Sequence, residues 1–315
     1  YEDIDKKIEG QYKDSLKHGE WRWRSKSKNK IIKKGLYKND KQIGKWREFY
    51  LSGKEWKITK YKKGKKHGLF SVLDEYDGTI LEKGYYKNDL KHGEWIEYYS
   101  NNNIKSIKKY NLDKKNGEWI EYHKNKKIKS KINYKDDKKI DTLRSWYQTG
   151  QKQIEEIYND NGIEKGEWIT WFPNGRIKSK SYYDDYGNKI NLWIKNHSNN
   201  KTEYAIKYKD NKKSIETRFH ENGEMHINGR YINGEKHGIW RWYEPDGTLV
   251  LYGEYKYGKK DGLWENYNSN GTIMEIITYK DGKIIKEEKI SNKKKEALEK
   301  IDSKTKKIFD GFKNN

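Results

Sequence analysis

The chain has 315 residues, 32% hydrophobic and 37% charged, with a formal net charge of +22. An ordinary globular domain is nearer half apolar and a quarter charged, so a thick single core is excluded; an aromatic content of 15% excludes the simple disorder such a charge would otherwise imply. The absence of cysteine removes disulfides and thiolate chemistry, and no apolar run is long enough to cross a membrane as a helix.

The chain opens at Tyr1 rather than Met, so an upstream segment, a signal peptide or another, is expected to have been removed. With the lack of cysteine, this inclines the reading to an exported or cell-surface protein over a cytoplasmic one. Residues Tyr1 to Gly10 read as part of a first repeat or its cap. From there the chain is periodic. Four tripeptides, Lys17-His18-Gly19, Lys66-His67-Gly68, Lys91-His92-Gly93 and Lys236-His237-Gly238, each stand two residues before an aromatic. The same register gives anchors at Trp21, Trp46, Phe70, Trp95, Trp119, Leu143, Trp168, Trp193, Glu216, Trp240 and Trp264. A tyrosine recurs nine residues before the anchor, as at Tyr12, Tyr37, Tyr61 and Tyr86. An aromatic recurs three residues after it, as at Phe49, Tyr98, Tyr122, Trp146 and Trp171. A glycine recurs seven after it, as at Gly53, Gly150, Gly175 and Gly223.

The segments between turns are four to seven residues long and rich in Trp, Tyr, Ile and Thr, and the turns carry Asn-Gly and Asp-Gly. These are strand and hairpin signals. The spacing predicts an all-β fold: an elongated, twisted, single-layer antiparallel β-meander of about eleven 24-residue hairpins over residues 1–285. A lone hairpin cannot bury its aromatics, so each must pack on its neighbours. Residues 286–315 read as a separate helical cap or tail. There Leu298, Ile301, Ile308, Phe309 and Phe312 fall at helical spacing, which predicts an amphipathic helix covering the end of the sheet.

The pattern Gly-x-Trp-x-x-Tyr-x-x-x-Gly, clearest in Gly166 to Gly175, together with the tyrosine nine residues upstream, resembles the bacterial variant of the MORN repeat. The resemblance implies an extended ribbon of antiparallel hairpins. It also implies a non-catalytic binding role, with relatives that are antitoxin-like or surface-exposed. The sequence departs from the pattern at Leu143, at Glu216 and around Trp193, where Asn191 replaces the glycine and Asn196 the aromatic.

The chemistry-bearing residues repeat instead of converging. His18, His67, His92 and His237 share one slot beside a turn glycine, where packing on a neighbouring aromatic is expected. His220 and His226 flank a turn and lack a metal-binding helical spacing. Glu20, Glu94, Glu118 and Glu167 precede anchors, where cross-strand pairing with lysine is expected. No phosphate loop, nucleophile elbow or dinucleotide fingerprint is present. A non-enzyme is expected, with no catalytic, cofactor or metal residues.

Three binding readings remain. The first is a protein-protein interaction scaffold whose irregular units make specific contacts through Trp146, Tyr147, Trp171, Trp193, His197 and Arg218. The second is an acidic surface: anionic lipid, nucleic acid or cell-wall polymer. It would be met by a lysine stripe of Lys105, Lys108, Lys109, Lys124, Lys126, Lys127, Lys135, Lys138 and Lys139. Against it, only 8 of the 70 basic residues are arginine, the better reader of phosphates and bases. The third is carbohydrate stacking on Trp23, Trp56 and Trp242, which lie outside the anchor slots; for Trp23 and Trp242, on the anchor's own face, extension of the packing is the simpler role. Self-association through faces or edges is compatible with all three.

Overall fold

The computed structural model describes residues 6–290. Every regular element among them is a strand, and the chain divides into two compact units, Tyr1–Ile163 and Glu164–Asn315. The first unit holds β1 (Lys6–Lys13), β2 (Leu16–Ser25), β3 (Ile31–Lys38), β4 (Lys41–Phe49), β5 (Glu55–Lys62), β6 (Lys65–Leu73), β7 (Ile80–Lys87), β8 (Leu90–Tyr98), β9 (Ile104–Asn111), the two-residue β10 (Lys114–Lys115), β11 (Gly117–Tyr122), β12 (Ile128–Lys135), β13 (Lys138–Trp146) and β14 (Lys152–Tyr158). The second holds β15 (Glu164–Trp171), β16 (Ile177–Tyr183), β17 (Lys189–Asn196), β18 (Thr202–Lys209), β19 (Lys212–Phe219), β20 (Met225–Ile232), β21 (Glu235–Tyr243), β22 (Leu249–Lys256), β23 (Lys259–Tyr267), β24 (Ile273–Lys280) and β25 (Lys283–Lys289). Within each unit, strands adjacent in sequence pair antiparallel; β10 and β11 both pair with β9. The expected C-terminal helix, with Leu298 to Phe312, lies outside the described residues.

Two kinds of turn alternate. Tight two-residue turns place both residues in the left-handed region, as at Asn39-Asp40 (φ 49° and 61°) and Asn88-Asp89 (φ 52° and 74°). This backbone matches the twist of a hairpin, and Asn, Asp and Gly tolerate it best. The opposite end of each hairpin closes through a longer turn. At Tyr50–Lys54 the Tyr50 N–H donates to the Lys54 carbonyl and the Gly53 N–H to the Tyr50 carbonyl, both at 2.9 Å. Phe172–Arg176 and His220–Glu224 repeat this geometry. Each unit also has bulges two residues before the anchor, at Gly44, Gly93, Gly238 and Gly262, all with positive φ. Where glycine is missing from this slot, Asp141 (φ 61°) and Asn191 (φ 59°) take the same conformation and keep the bulge; before Glu216, Ser214 does not take it, and the register slips there by one residue.

The anchors share one face of each sheet. Trp46, Trp95, Trp240 and Trp264 are each only 2% exposed, although among the described residues no second layer covers them. Each indole lies flat over a glycine eleven residues earlier on the preceding strand. The pairs are Gly10 with Trp21, Gly35 with Trp46, Gly84 with Trp95, Gly229 with Trp240 and Gly253 with Trp264. Tyrosines close the sides edge-on: Tyr37 stands 5.1 Å from Trp46, and Tyr86 5.0 Å from Trp95. A thin sheet thus buries large rings within its own pleats.

Consecutive hairpins are also tied at their turns. The Asp40 N–H donates to the Lys17 carbonyl, and the Asp40 carboxylate accepts the Lys17 N–H at 2.7 Å. Asp89 does the same with Lys66, Asp113 with Lys91, Asp137 with Lys115 and Asn211 with Lys189. At the long-turn end, side chains donate to carbonyls of the next long turn: Tyr99 to Tyr122 and Asn125 to Gln148 in the first unit, and Asn199 to Glu221 in the second.

Candidate functional site

The lysine that stands four residues before most anchors, though not before Trp46 (Gln42) or Trp168 (Glu164), has a defined task. Lys91 lies 4.0 Å from the Trp95 ring centroid and 5.3 Å from Tyr110; Lys115 lies 4.7 Å from Trp119 and 4.9 Å from Tyr134. In the second unit Lys236 caps Trp240 and Tyr255, and Lys260 caps Trp264 and Tyr279. Each ammonium closes the end of an aromatic groove, and burial pushes Lys236 below the usual lysine range. Part of the net charge therefore belongs to packing. Of the four neighbouring histidines, two pack on an aromatic: His67 stands 6.1 Å from Tyr85, and His237 5.0 Å from Tyr257; His18 and His92 instead bury an Nδ1 that has no hydrogen-bond partner. His220 and His226 stack at 4.3 Å, and burial followed by the His220 charge lowers the pKa of His226.

Glu216 occupies an anchor position and is 4% exposed. Its carboxylate accepts from Arg218 at 2.5 Å, the Tyr231 hydroxyl at 2.6 Å and Lys213 at 3.0 Å. Burial alone would raise its pKa; the bonds from Tyr231, Arg218 and Lys213 outweigh that and bring it to about 2. Tyr231 is pushed up, by burial and by its bond to Glu216. Directly opposite, on β18, stands Ile206 instead of a small residue, so an indole has no bed here. An ion network takes its place.

The residues expected to meet a protein partner lie as follows. Arg218 is committed to Glu216. Trp193 packs between Tyr183 at 5.2 Å and Tyr208 at 5.0 Å, and its indole N–H donates to the Tyr182 carbonyl at 3.1 Å. The His197 ring nitrogen Nε2 lies 3.4 Å from the Phe219 carbonyl. Trp146 ends β13, and its carbonyl faces His123 Nε2 at 2.8 Å. Tyr147 opens the long turn that follows, and Trp171 ends β15 beside Ile177.

The nine lysines do not form one stripe. Lys124, Lys126 and Lys127 lie in the long turn before β12, whereas Lys135, Lys138 and Lys139 flank the tight turn after it. A strand of eight residues, about 25 Å, separates the two groups. Several are already paired: Lys108 and Lys105 with Glu97 at 2.7 and 3.3 Å, Lys109 with Glu94 at 3.6 Å, Lys127 with the Thr149 carbonyl and Lys139 with Tyr158. Strand alternation brings together lysines of different hairpins only at matching ends.

Two surfaces remain. On the face of the second unit opposite the anchors, Leu192, Ile215, Ile239 and Leu263 fill the same slot of successive hairpins, each 39–53% exposed. In the first unit a cleft of about 710 Å³ opens on the anchor face. Cross-strand register lines up Trp23, Lys33, Glu48 and Lys57, with Phe49 and Trp56 beside them. Trp23 does extend the anchor packing, 5.6 Å from Trp46, and Trp242 does so 5.8 Å from Trp264. Among the described residues no group of three or more His, Cys, Asp or Glu is placed to hold a metal.

These features define an open antiparallel hairpin-repeat protein with rings on one face. A family described as a MORN repeat variant matches it at residues 91–111, 115–136, 164–185, 236–257 and 260–281. No curated protein matches the sequence. Similar solved structures include TcdB2-TccC3 without hypervariable C-terminal region (9% identity, TM-score 0.19, 87% of this chain and 16% of that one). Another is TcdB2-TccC3-Cdc42 (10% identity, TM-score 0.14, 88% and 18%). The chain thus spans less than a fifth of those chains, and likeness at such scores carries no argument about fold or function.

Proposed function

We propose that this chain is a non-enzymatic protein-protein interaction scaffold of about eleven MORN-type hairpins, of the antitoxin-like or surface-adaptor kind that the bacterial variant of the repeat suggests. The observation that carries this reading is the aliphatic row Leu192, Ile215, Ile239 and Leu263. The anchor slots are spent on packing, while these four recur at one position and stay exposed, interleaved with Lys207, Arg230, Glu254 and Thr278 on the paired strands. A periodic apolar row with charged neighbours suits an extended protein surface.

The test is affinity capture from native lysate, at low and high salt, with the wild type and an Ile215→Ser/Ile239→Ser/Leu263→Ser variant. A single protein retained by the wild type at high salt and lost by the variant supports the reading. Equal capture by both removes it.

A second reading, an acidic surface, is favoured by the exposed Lys124 and Lys126 at one hairpin end and Lys135 and Lys138 at the other. It predicts polyanions in the captured material that wash off with salt.

A further inference from the structure

The surplus tryptophans Trp23 and Trp56 are 33 positions apart in the chain, yet both wall the cleft of the first unit. Its volume, about 710 Å³, is that of a small-ligand site. The walls are aromatic and the polar groups converge between them. Glu48 stands between Lys57 at 3.0 Å and Lys33 at 3.9 Å, so its carboxylate is held in place by two ammoniums. Lys57 lies 4.5 Å from the Trp56 ring centroid and Lys33 5.9 Å from that of Trp23, which ties the charged groups to the rings. Repeats elsewhere do not reproduce this set: the slot of Trp23 holds Val72 on β6 and Glu97 on β8, and where it holds a tryptophan again, Trp242 on β21, the register beside it runs through Leu251 and Asn266 instead of Lys33 and Glu48.

We propose that this cleft binds a pyranose ring of a saccharide chain, with the ring's apolar face against Trp23 or Trp56. Its hydroxyls donate to Glu48 and accept from Lys33 and Lys57. A hydroxyl both donates and accepts, and so can use a carboxylate and an ammonium side by side. A phosphate can only accept, so it would draw on the three lysines of the lining, Lys6, Lys33 and Lys57, and leave the Glu48 carboxylate without a donor. That separates this site from one for single-stranded nucleic acid, which also pairs aromatics with lysine. None of these residues belongs to the aliphatic row of the second unit, so this site and the scaffold reading stand or fall separately.

The test uses the full chain with its tryptophan indoles ¹⁵N-labelled and assigned by substitution. Cellotetraose and N-acetylchitotetraose are titrated at low and high salt, with a short single-stranded oligothymidylate as the competing class. The expected result is a saturable shift of the Trp23 and Trp56 indole signals by a tetrasaccharide, unchanged by salt. Glu48→Gln and Trp56→Ala should each weaken it about tenfold or more. Should Trp56→Ala unfold by circular dichroism, Glu48→Gln and the wild-type shifts decide. Two results overturn the proposal: no shift of either indole with either tetrasaccharide, or a shift with the oligothymidylate alone that salt abolishes.

Discussion

Gly35 lies directly beneath the indole of Trp46: a Cβ on Gly35 would stand 2.1 Å from the ring. The glycine is not there for its backbone, since its φ is not positive, unlike Gly53 at 95°. It is a bed for the ring, and the burial of Trp46 depends on it.

Gly35→Ala should therefore destabilise the first unit by about 1–3 kcal/mol, the usual cost of overpacking, or more if Trp46 is expelled. Gly53→Ala meets nothing within 4 Å and should cost only the left-handed backbone, about 1–2 kcal/mol. Urea unfolding with a tryptophan fluorescence maximum separates the two: only Gly35→Ala should shift the native emission to the red.

Removal of the turn tie is tested by Asp89→Gly, which deletes the acceptor of the Lys66 N–H while keeping the positive φ. A stability loss of about 1 kcal/mol is expected. Amide exchange at Lys66 should quicken while that of strand centres is retained.

The buried Glu216 should make the second unit acid-sensitive. Its folded pKa, about 2, lies below the ordinary glutamate value of 4.5. A depressed carboxylate stabilises above its unfolded pKa, and the contribution is lost as pH falls from about 4.5 through about 2. Stability measured across that window should fall less steeply in Glu216→Gln than in the wild type. At neutral pH the same substitution should cost about 1–3 kcal/mol, because the charges of Arg218 and Lys213 lose their partner.

Lys260→Met keeps the apolar stem over Trp264 and removes the ammonium. A loss of about 0.5–2 kcal/mol is expected. Because the charge sits on rings, affinity for a heparin column should change less than in a Lys124→Met/Lys126→Met variant, whose lysines are exposed.

The period, the anchors and the turn chemistry were legible because each is local: an indole, a tyrosine nine residues back, an Asn or Asp at a tight turn. The glycine bed was equally visible as Gly-x-Tyr, in Gly10, Gly35, Gly84, Gly229 and Gly253, but its meaning depends on which strand crosses which. That lysines lie over Trp and Tyr faces could be expected from their abundance together, but composition does not tell which ammonium is solvated and which, like Lys91 or Lys236, is seated on a ring. The nine lysines do not line up for a different reason, the direction of the strands. Chain neighbours such as Lys127 and Lys135 fall at opposite ends of β12, whereas Trp23 and Trp56, far apart in the chain, are brought to the walls of one cleft by the register of β2 to β5.

The ties between turns have a last consequence. Each joins an amide to a side chain 22 or 23 positions on, and the next hairpin offers an equivalent amide and an equivalent side chain. Excision of one whole hairpin would bring like to like, while loss of two or three residues would put the ties that span the gap out of step. Tandem duplication and loss of whole hairpins are thus the gentle moves open to such a chain, and small slips in its spacing the harmful ones. Gene copies of unequal length should differ by multiples of about 24 codons.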